Sequence, residues 1–271
     1  MTLQLDERRR AMLAEMGVRM FDAPASVPAP TPEFASARAA AIATPPRPAV
    51  SAPVALRAEV PQAVKVQPSV TRALQPEDSA RTSAIELMQW DALEQAVASC
   101  DACGLCASRR NTVFGVGDQQ ADWLIVGEAP GENEDLQGEP FVGQAGKLLD
   151  NMLKSLGLDR KRKVYIANVL KCRPPANRNP EPAEVAQCEP FLRRQVQLLQ
   201  PKIILAMGRF AVQSLLGTDE AIGKLRGRRH EYMGVPLVVT YHPAYLLRNL
   251  PDKAKAWADL CLALEVMGGP G

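Results

Sequence analysis

Four short apolar runs, Trp123–Val126, Val164–Val169, Ile203–Ala206 and Leu237–Thr240, each bounded by turn residues, place the strongest constraint on how this chain folds. Helical patterns separate and follow them. Ala145–Leu156 carries Leu148, Leu149, Met152, Leu153 and Leu156 on one face, and Pro182–Leu199, Phe210–Leu216 and Lys253–Val266 behave similarly. Short buried strands alternating with helices predict a mostly parallel four-stranded sheet covered on both faces, a three-layer α/β/α architecture. Ile85–Ala98 reads as one further helix that enters a group of cysteines.

The ends of those strands are chemically unusual. The first runs into Gly127-Glu128-Ala129-Pro130-Gly131 and the second carries Asn168 near its end; the third leads into Gly208-Arg209 and the fourth into Tyr241-His242-Pro243. Open parallel sheets bind ligands in the crevice beyond the carboxyl ends of their strands. All four strands deliver polar or glycine-rich residues to that one edge, so a site is expected there.

The chain has 271 residues, and its composition divides it. Pro24 to Pro76 holds eleven prolines among many alanines, with Gly, Trp and Cys absent. Such a stretch buries too little apolar surface to offset its ordering entropy, so residues 23–81 are expected to be a disordered, partly extended linker. Residues 1–22 read as a short amphipathic segment, with Leu3, Leu5, Met12, Leu13, Met16 and Met20 set among charged residues. That segment is either a weakly ordered extension or a helix that docks on a repair or replication protein. The remaining residues, 82–271, suffice for one domain with a sizeable core. No apolar stretch follows the N-terminal basic residues as a signal peptide would require, and none is long enough to cross a bilayer, so a cytosolic monomer is expected. The net charge of +2 excludes little. Its distribution says more: Arg226, Arg228 and Arg229 form one basic cluster and Lys171, Arg173 and Arg178 another, both beside candidate site loops, which tilts the reading towards a polyanionic ligand.

Six cysteines are present. Cys261 falls on the last helical pattern and reads as a small buried apolar residue. Cys100-x2-Cys103 has a metal-binding spacing, and Cys172-x15-Cys188 follows after 68 residues. Structural zinc sites commonly pair two short-spaced knuckles, which the second pair does not form. An iron–sulfur cluster needs only that four thiolates converge, so the spacing favours a cluster over zinc. Cys106 repeats the x2 spacing, and spacing alone does not choose among the three N-terminal candidates.

Taken together, Cys-x2-Cys, Val113-Phe114-Gly115, Gly-Glu-Ala-Pro-Gly, Pro-Phe-Val-Gly-x-Ala-Gly (Pro140–Gly146), Asn-Val-Leu-Lys-Cys-Arg-Pro-Pro (Asn168–Pro175) and His-Pro-Ala-Tyr-Leu-Leu-Arg (His242–Arg248) resemble the family 4 uracil-DNA glycosylases. The resemblance runs in order from about Cys100 to Leu264 and leaves the N-terminal tail outside. It implies a uracil-DNA glycosylase-like fold, a [4Fe–4S] cluster, uracil-containing DNA as substrate, and hydrolysis of the N-glycosidic bond in base excision repair. In the family register the first cysteine pair stands 14 and 11 residues before Phe114, which gives Cys100, Cys103, Cys172 and Cys188 as ligands and leaves Cys106 a bystander.

The resemblance also implies roles. Asn168 would read the uracil edge, since a side-chain amide offers both the donor and the acceptor that O4 and N3–H require. Phe141, which unaided reads as core, would stack on the flipped base. His242 would donate to uracil O2, with His230 left as a surface or phosphate contact. Glu128 would orient water or stabilise the cationic sugar. Ala129 stands where the best-known uracil glycosylases carry a water-activating aspartate, so catalysis leans on Glu128, His242 and backbone donors, with Ala129 and Gly131 as substrate-binding positions. Glu134 would exclude the thymine methyl group, Leu246 would wedge into the base stack, and Arg248 and Arg226 would contact phosphates.

Two rival readings compete. In a phosphate-binding loop at Gly127–Gly131, Pro130 supplies no N–H, Glu128 repels the anion, and the lysine of a P-loop is lacking. A non-catalytic iron–sulfur DNA-binding module has no use for Glu128, Asn168 and His242 together.

Overall fold

The computed structural model describes residues 76–268, so the expected docking segment and the linker up to residue 75 lie outside the described residues. Helices α1 (Pro76–Leu87) and α2 (Trp90–Ala98) come first, followed by a 3-10 turn at Gly104–Ala107. The chain continues through β1 (Val116–Gly117), β2 (Trp123–Gly127), α3 (Glu132–Gln137), α4 (Gln144–Ser155), β3 (Val164–Asn168) and α5 (Pro182–Leu199). It then forms β4 (Ile203–Met207), α6 (Arg209–Leu216), α7 (Ile222–Leu225), β5 (Arg229–Tyr232), β6 (Val235–Thr240), α8 (Pro243–Arg248) and α9 (Lys253–Gly268).

The sheet has the order β1-β3-β2-β4-β6-β5. Its four central strands are parallel, as expected, and two short antiparallel strands that the apolar runs did not announce close its edges. Every residue of β2, β3 and β4 is buried, as strands covered on both faces must be. Alternation assigns their side chains to two layers. Trp123, Ile125, Leu205 and Met207 pack with Leu149 and Met152 of α4 and Trp257 and Leu260 of α9. On the opposite face Leu124, Val126, Ile204 and Ala206 pack with Leu192 and Val196 of α5 and Val212 of α6. The result is the α/β/α sandwich that the strand–helix alternation predicts.

Three expectations need correction. The linker expected over 23–81 overlaps α1 in its last residues, 76–81, which are helical. The helix expected over Ile85–Ala98 is two helices: Arg194 Nε donates to the Met88 carbonyl at 2.7 Å, and the chain turns there. Each basic cluster loses a member to the interior: Arg226 is partly buried while Arg228 and Arg229 stay exposed, and Lys171 leaves the second. Lys171 is fully buried, with Nζ donating to the carbonyls of Phe114 (3.2 Å) and Asn168 (2.9 Å) and to Gln195 Oε1 (2.6 Å). Arg229 opens β5 rather than sitting in a loop. Among the described residues, no helix is long and apolar enough to cross a membrane.

Candidate active site

β2 lies between β3 and β4, so the chain crosses from one side of β2 to the other, and a crevice opens beyond the strand ends there. A cleft of about 720 Å³ occupies this position, and Glu128, Ala129, Gly131, Glu134, Phe141, Asn168, His242 and Arg248 all line it. The residues singled out at the strand ends thus converge on one cavity.

Asn168 ends β3 directly opposite Gly127 of β2. Its side chain is 2% exposed, and among the described residues its Oδ1 is buried without a hydrogen-bond partner. A buried acceptor left unpaired costs about 1–3 kcal/mol, a cost that a ligand N–H would remove. Gly127 makes room for this arrangement. A Cβ there would stand 2.3 Å from Asn168 Oδ1 and 2.7 Å from Phe141 Cζ, so no larger residue lets the amide and the aromatic ring share the pocket.

Phe141 holds a left-handed backbone (φ 56°), which is strained for a bulky side chain. Its neighbours over-determine it. Arg160 donates to the carbonyls of Pro140 and Phe141, both at 2.9 Å, and is itself paired with Asp150. Glu134 Oε1 accepts from the N–H groups of Val142 (2.9 Å) and Gly143 (3.3 Å), while its Oε2 accepts from Gly131 N–H at 3.1 Å. Glu134 therefore clamps the loop after β2 to the Phe141 loop. The Phe141 ring stacks on His242, with centroids 5.4 Å apart and an interplanar angle of 27°.

His242 caps the start of α8, where its Nδ1 accepts from Ala244 N–H at 3.1 Å. That bond leaves the ring proton on Nε2. Burial, aided by Arg248 and opposed by Glu134, pushes the His242 pKa down to about 4, so the imidazole is neutral near pH 7. Gly208, at φ 91°, approaches His242 so closely that a Cβ would lie 3.0 Å from the histidine Cβ. Glu128 is pushed the other way: burial raises its pKa to about 7, with Arg209 partly offsetting the shift.

Three residues do not stand where expected. Leu246 is 0% exposed and packs in the core on the α4–α9 face of the sheet, so it is not available to enter a base stack; its neighbour Leu247 is 42% exposed. Arg226 is committed inside the protein: its Nε pairs with buried Asp259 at 2.7 Å, it bonds the Lys255 carbonyl, and its guanidinium lies 4.6 Å over Tyr241. It is not a free phosphate contact. His230 Nε2 bonds the Leu225 carbonyl at 2.7 Å, an internal contact rather than a surface one.

The sequence reading also missed lining residues. Arg209 and Phe210, at the start of α6, line the cleft, as do Asn177, Arg178 and Asn179, and Tyr241 and Tyr245, whose rings stack at 5.0 Å. Arg209 and Tyr241 were visible as residues that end strands. The Asn177–Asn179 loop ends no strand, and Arg178 is visible in the sequence only as a member of a basic cluster; the left-handed Ala176 and Asn177 belong to a locally bonded turn, with Asn177 N–H donating to the Pro174 carbonyl at 3.0 Å and Arg173 Nε to Asn177 Oδ1 at 2.8 Å.

Away from the cleft, Cys103, Cys172 and Cys188 share a small core with Leu105 and Leu170, and Cys100 packs on the neighbouring cluster around Phe191. Cys103 and Cys172 each lie within electrostatic reach of Cys100, and Cys188 lies within reach of Cys172 and Cys103; burial raises the pKa of Cys103 and Cys172 and pushes Cys188 up to about 12. Cys106 stays outside the shared core; its thiol faces the Asp101 carbonyl at 4.0 Å. Among the described residues, no three thiol, imidazole or carboxylate groups draw close enough to hold one metal ion. A tetrahedral zinc with bonds of about 2.3 Å would need its sulfurs within roughly 4 Å of each other. A cuboidal cluster places each thiolate on a different iron and spreads the sulfurs more widely. Three thiols in one small core with a fourth at the neighbouring cluster are the donor chemistry that an iron–sulfur cluster takes.

The model of the uracil DNA glycosylase superfamily matches residues 114–261. A type-4 uracil-DNA glycosylase of Archaeoglobus fulgidus is 45% identical over 165 residues, 58% of this chain and 82% of the relative. Proteins of the same name from Sulfurisphaera tokodaii and Thermotoga maritima are 46% and 44% identical, over 58% and 63% of this chain and 75% and 88% of their own lengths. Strand order, the cleft at the switch point and these likenesses agree: the chain belongs to the uracil-DNA glycosylase superfamily and, within it, to the type-4 family.

Proposed function

We propose that this protein flips uracil out of DNA and hydrolyses its N-glycosidic bond, leaving an abasic site. The observation that carries the reading is the unpartnered Asn168 Oδ1, buried beside Phe141 in a cleft that ends at a neutral histidine. Uracil N3–H supplies the donor that this oxygen lacks, and the Asn168 amide N–H serves O4. Cytosine would set its N3 acceptor against the same oxygen. Phe141 stacks on the extruded base, and Glu134 holds the loop that closes off the space a thymine methyl would need.

As the bond breaks, its electron pair moves onto uracil and positive charge grows on the sugar. His242, with its proton on Nε2, donates to O2 of the departing anion, and its value lies in being aimed beforehand. Glu128, as the carboxylate, stabilises the cationic sugar, orients the water that adds to C1′ and takes up the proton that water loses. Ala129 and Gly131 contribute backbone to the same loop. At the rim, Leu247 takes the wedge position in place of Leu246, and Arg248 meets phosphate; apolar wedges flanked by cations recur where duplex DNA is unstacked.

Cys100, Cys103, Cys172 and Cys188 would hold the [4Fe–4S] cluster. When bound, the cluster would cross-link the loop after α2 to the segment after β3 and to α5. Residues 82–271 are proposed to act as a cytosolic monomer, with the N-terminal segment free to dock on a repair or replication protein. The test is a uracil-containing oligonucleotide assay, with alkaline cleavage of the abasic product, comparing wild type with His242→Ala. Wild type should cleave the strand at uracil and the variant should be slower by about 10²–10³-fold. A folded wild type that leaves uracil in place would end the proposal.

A further inference from the structure

Two arginines outside the base pocket each join chain segments that carry different thiols. Arg109 donates from Nη1 to Cys172 Sγ at 3.2 Å and to the Cys100 carbonyl at 2.7 Å, and from Nη2 to the Ala98 carbonyl at 3.3 Å. Arg81, on α1, donates from Nη2 to Cys100 Sγ at 3.7 Å. Its Nη1 reaches the carbonyl of Gln187 at 3.0 Å and the Oε1 of the same residue at 3.4 Å, one position before Cys188. The Arg81 guanidinium also lies 4.9 Å over the ring of Phe191, which is buried on α5. Arg109 thus ties the Cys100 segment to the Cys172 segment, and Arg81 ties it to the helix bearing Cys188. α1 is itself fixed on α5, since Arg193 pairs with Glu86 at 3.7 Å and Arg194 holds the Met88 carbonyl.

The site is asymmetric in a way that makes these ties matter. Cys172 and Cys188 are 4% and 3% exposed, whereas Cys100 and Cys103 are only partly buried. Arginine stays charged at any ordinary pH, and hydrogen bonds to the sulfurs together with solvent exposure are among the levers that tune an iron–sulfur centre. We propose that Arg81 and Arg109 form a clasp that holds the four-thiol site in its ligating arrangement, donates to the sulfurs of Cys100 and Cys172 and would slow iron loss on the exposed side. The clasp rests on the reading of Cys100, Cys103, Cys172 and Cys188 as cluster ligands.

The experiment uses the full chain purified without oxygen, as wild type, Arg81→Met, Arg109→Met and the two corresponding lysine variants. Iron and sulfide content, the rate of iron release to a ferrous chelator and the reduction potential are measured on each. Wild type should contain iron and sulfide in equal amounts. Each methionine variant should release iron about tenfold faster, equivalent to about 1.4 kcal/mol of barrier, and its potential should fall because a cationic donor has left the sulfurs. Lysine keeps the charge but not the fork, so the lysine variants should fall between. A purely structural arginine would lower the melting temperature without moving the potential. Loaded variants that match wild type in both release rate and potential would overturn the clasp alone. If the methionine variants do not accumulate as folded protein, the lysine variants decide on the same readings. A wild type lacking iron and sulfide would sink the ligand assignment, and the clasp with it.

Discussion

Asn168, Phe141 and His242, at the floor of the cleft, are each fixed from behind: Asn168 and Phe141 by the room that Gly127 leaves, Phe141 again by Arg160 and Glu134, and His242 by the Ala244 N–H and the approach of Gly208. At the rim, Leu247 and Arg248 are exposed. The difference separates two tasks. A floor set before any ligand arrives can select a base by the mismatch of fixed donors and acceptors. A rim in solvent can only contribute once DNA supplies the other half of the contact. Substitutions at the floor should therefore change the rate of bond cleavage on every form of DNA, and substitutions at the rim should matter mainly for duplex.

The largest effect expected from a change that leaves the chemical groups in place is Gly127→Ala. The added Cβ collides with both Asn168 Oδ1 and Phe141 Cζ, and a displacement of about 1 Å at a reacting centre costs about 10²-fold. Single-turnover rates on single-stranded and duplex uracil substrates should drop together. A near wild-type rate would mean the floor is softer than described.

The pH profile comes next. Ionised Glu128 is the active form in this account, and burial lifts its pKa to about 7. Below that value the rate should fall tenfold per pH unit, and above it the rate should level off. His242 titrates near 4 and stays neutral throughout this window, so the inflection belongs to Glu128. Arg209 holds the Glu128 pKa down; Arg209→Met should move the inflection to higher pH, and Glu128→Gln should erase it. The same shift has a stability consequence of opposite sense. A carboxyl whose pKa is raised on folding favours the folded state at low pH, and that contribution is lost as the pH climbs from about 4.5 through 7. An inflection that survives Glu128→Gln would reassign the ionisation.

At the rim the comparison sharpens on two adjacent residues. Leu247→Ala should slow excision from duplex by about tenfold, worth about 1.4 kcal/mol, while leaving single-stranded substrate and thermal stability nearly unchanged. Leu246→Ala should do the reverse: it should cost about 2–5 kcal/mol of stability, as emptying a packed leucine site does. If Leu246→Ala is the variant that selectively loses duplex activity, the wedge assignment returns to it.

Those two leucines also show where sequence reading reaches its limit. The four central strands and the helices that cover them are legible because burial on both faces requires continuous apolar runs and one-sided helices require a period. Asn168, His242 and Glu128 are legible because they end strands. Leu246 and Leu247 differ only in which way a six-residue helix points them, and no local pattern settles a rotation that the core behind it decides. Arg226 read as a surface cation because its partner, Asp259, lies 33 residues further on. Lys171 read as part of a basic patch because its three acceptors come from β3, α5 and the segment before β1. The two-residue strand β1 carries too little sequence to announce itself.

Uracil selection is proposed to rest on the unpartnered Asn168 oxygen, which would accept from uracil N3–H while the Asn168 amide N–H serves O4. Asn168→Asp keeps the shape but replaces the donor to O4 with an acceptor. Single-turnover rates on matched U·G and C·G duplexes test it directly. Uracil excision should fall by roughly two or more powers of ten, with cytosine excision emerging weakly if at all. A folded variant that still holds its iron and removes uracil at close to the wild-type rate would show that Asn168 does not read the base.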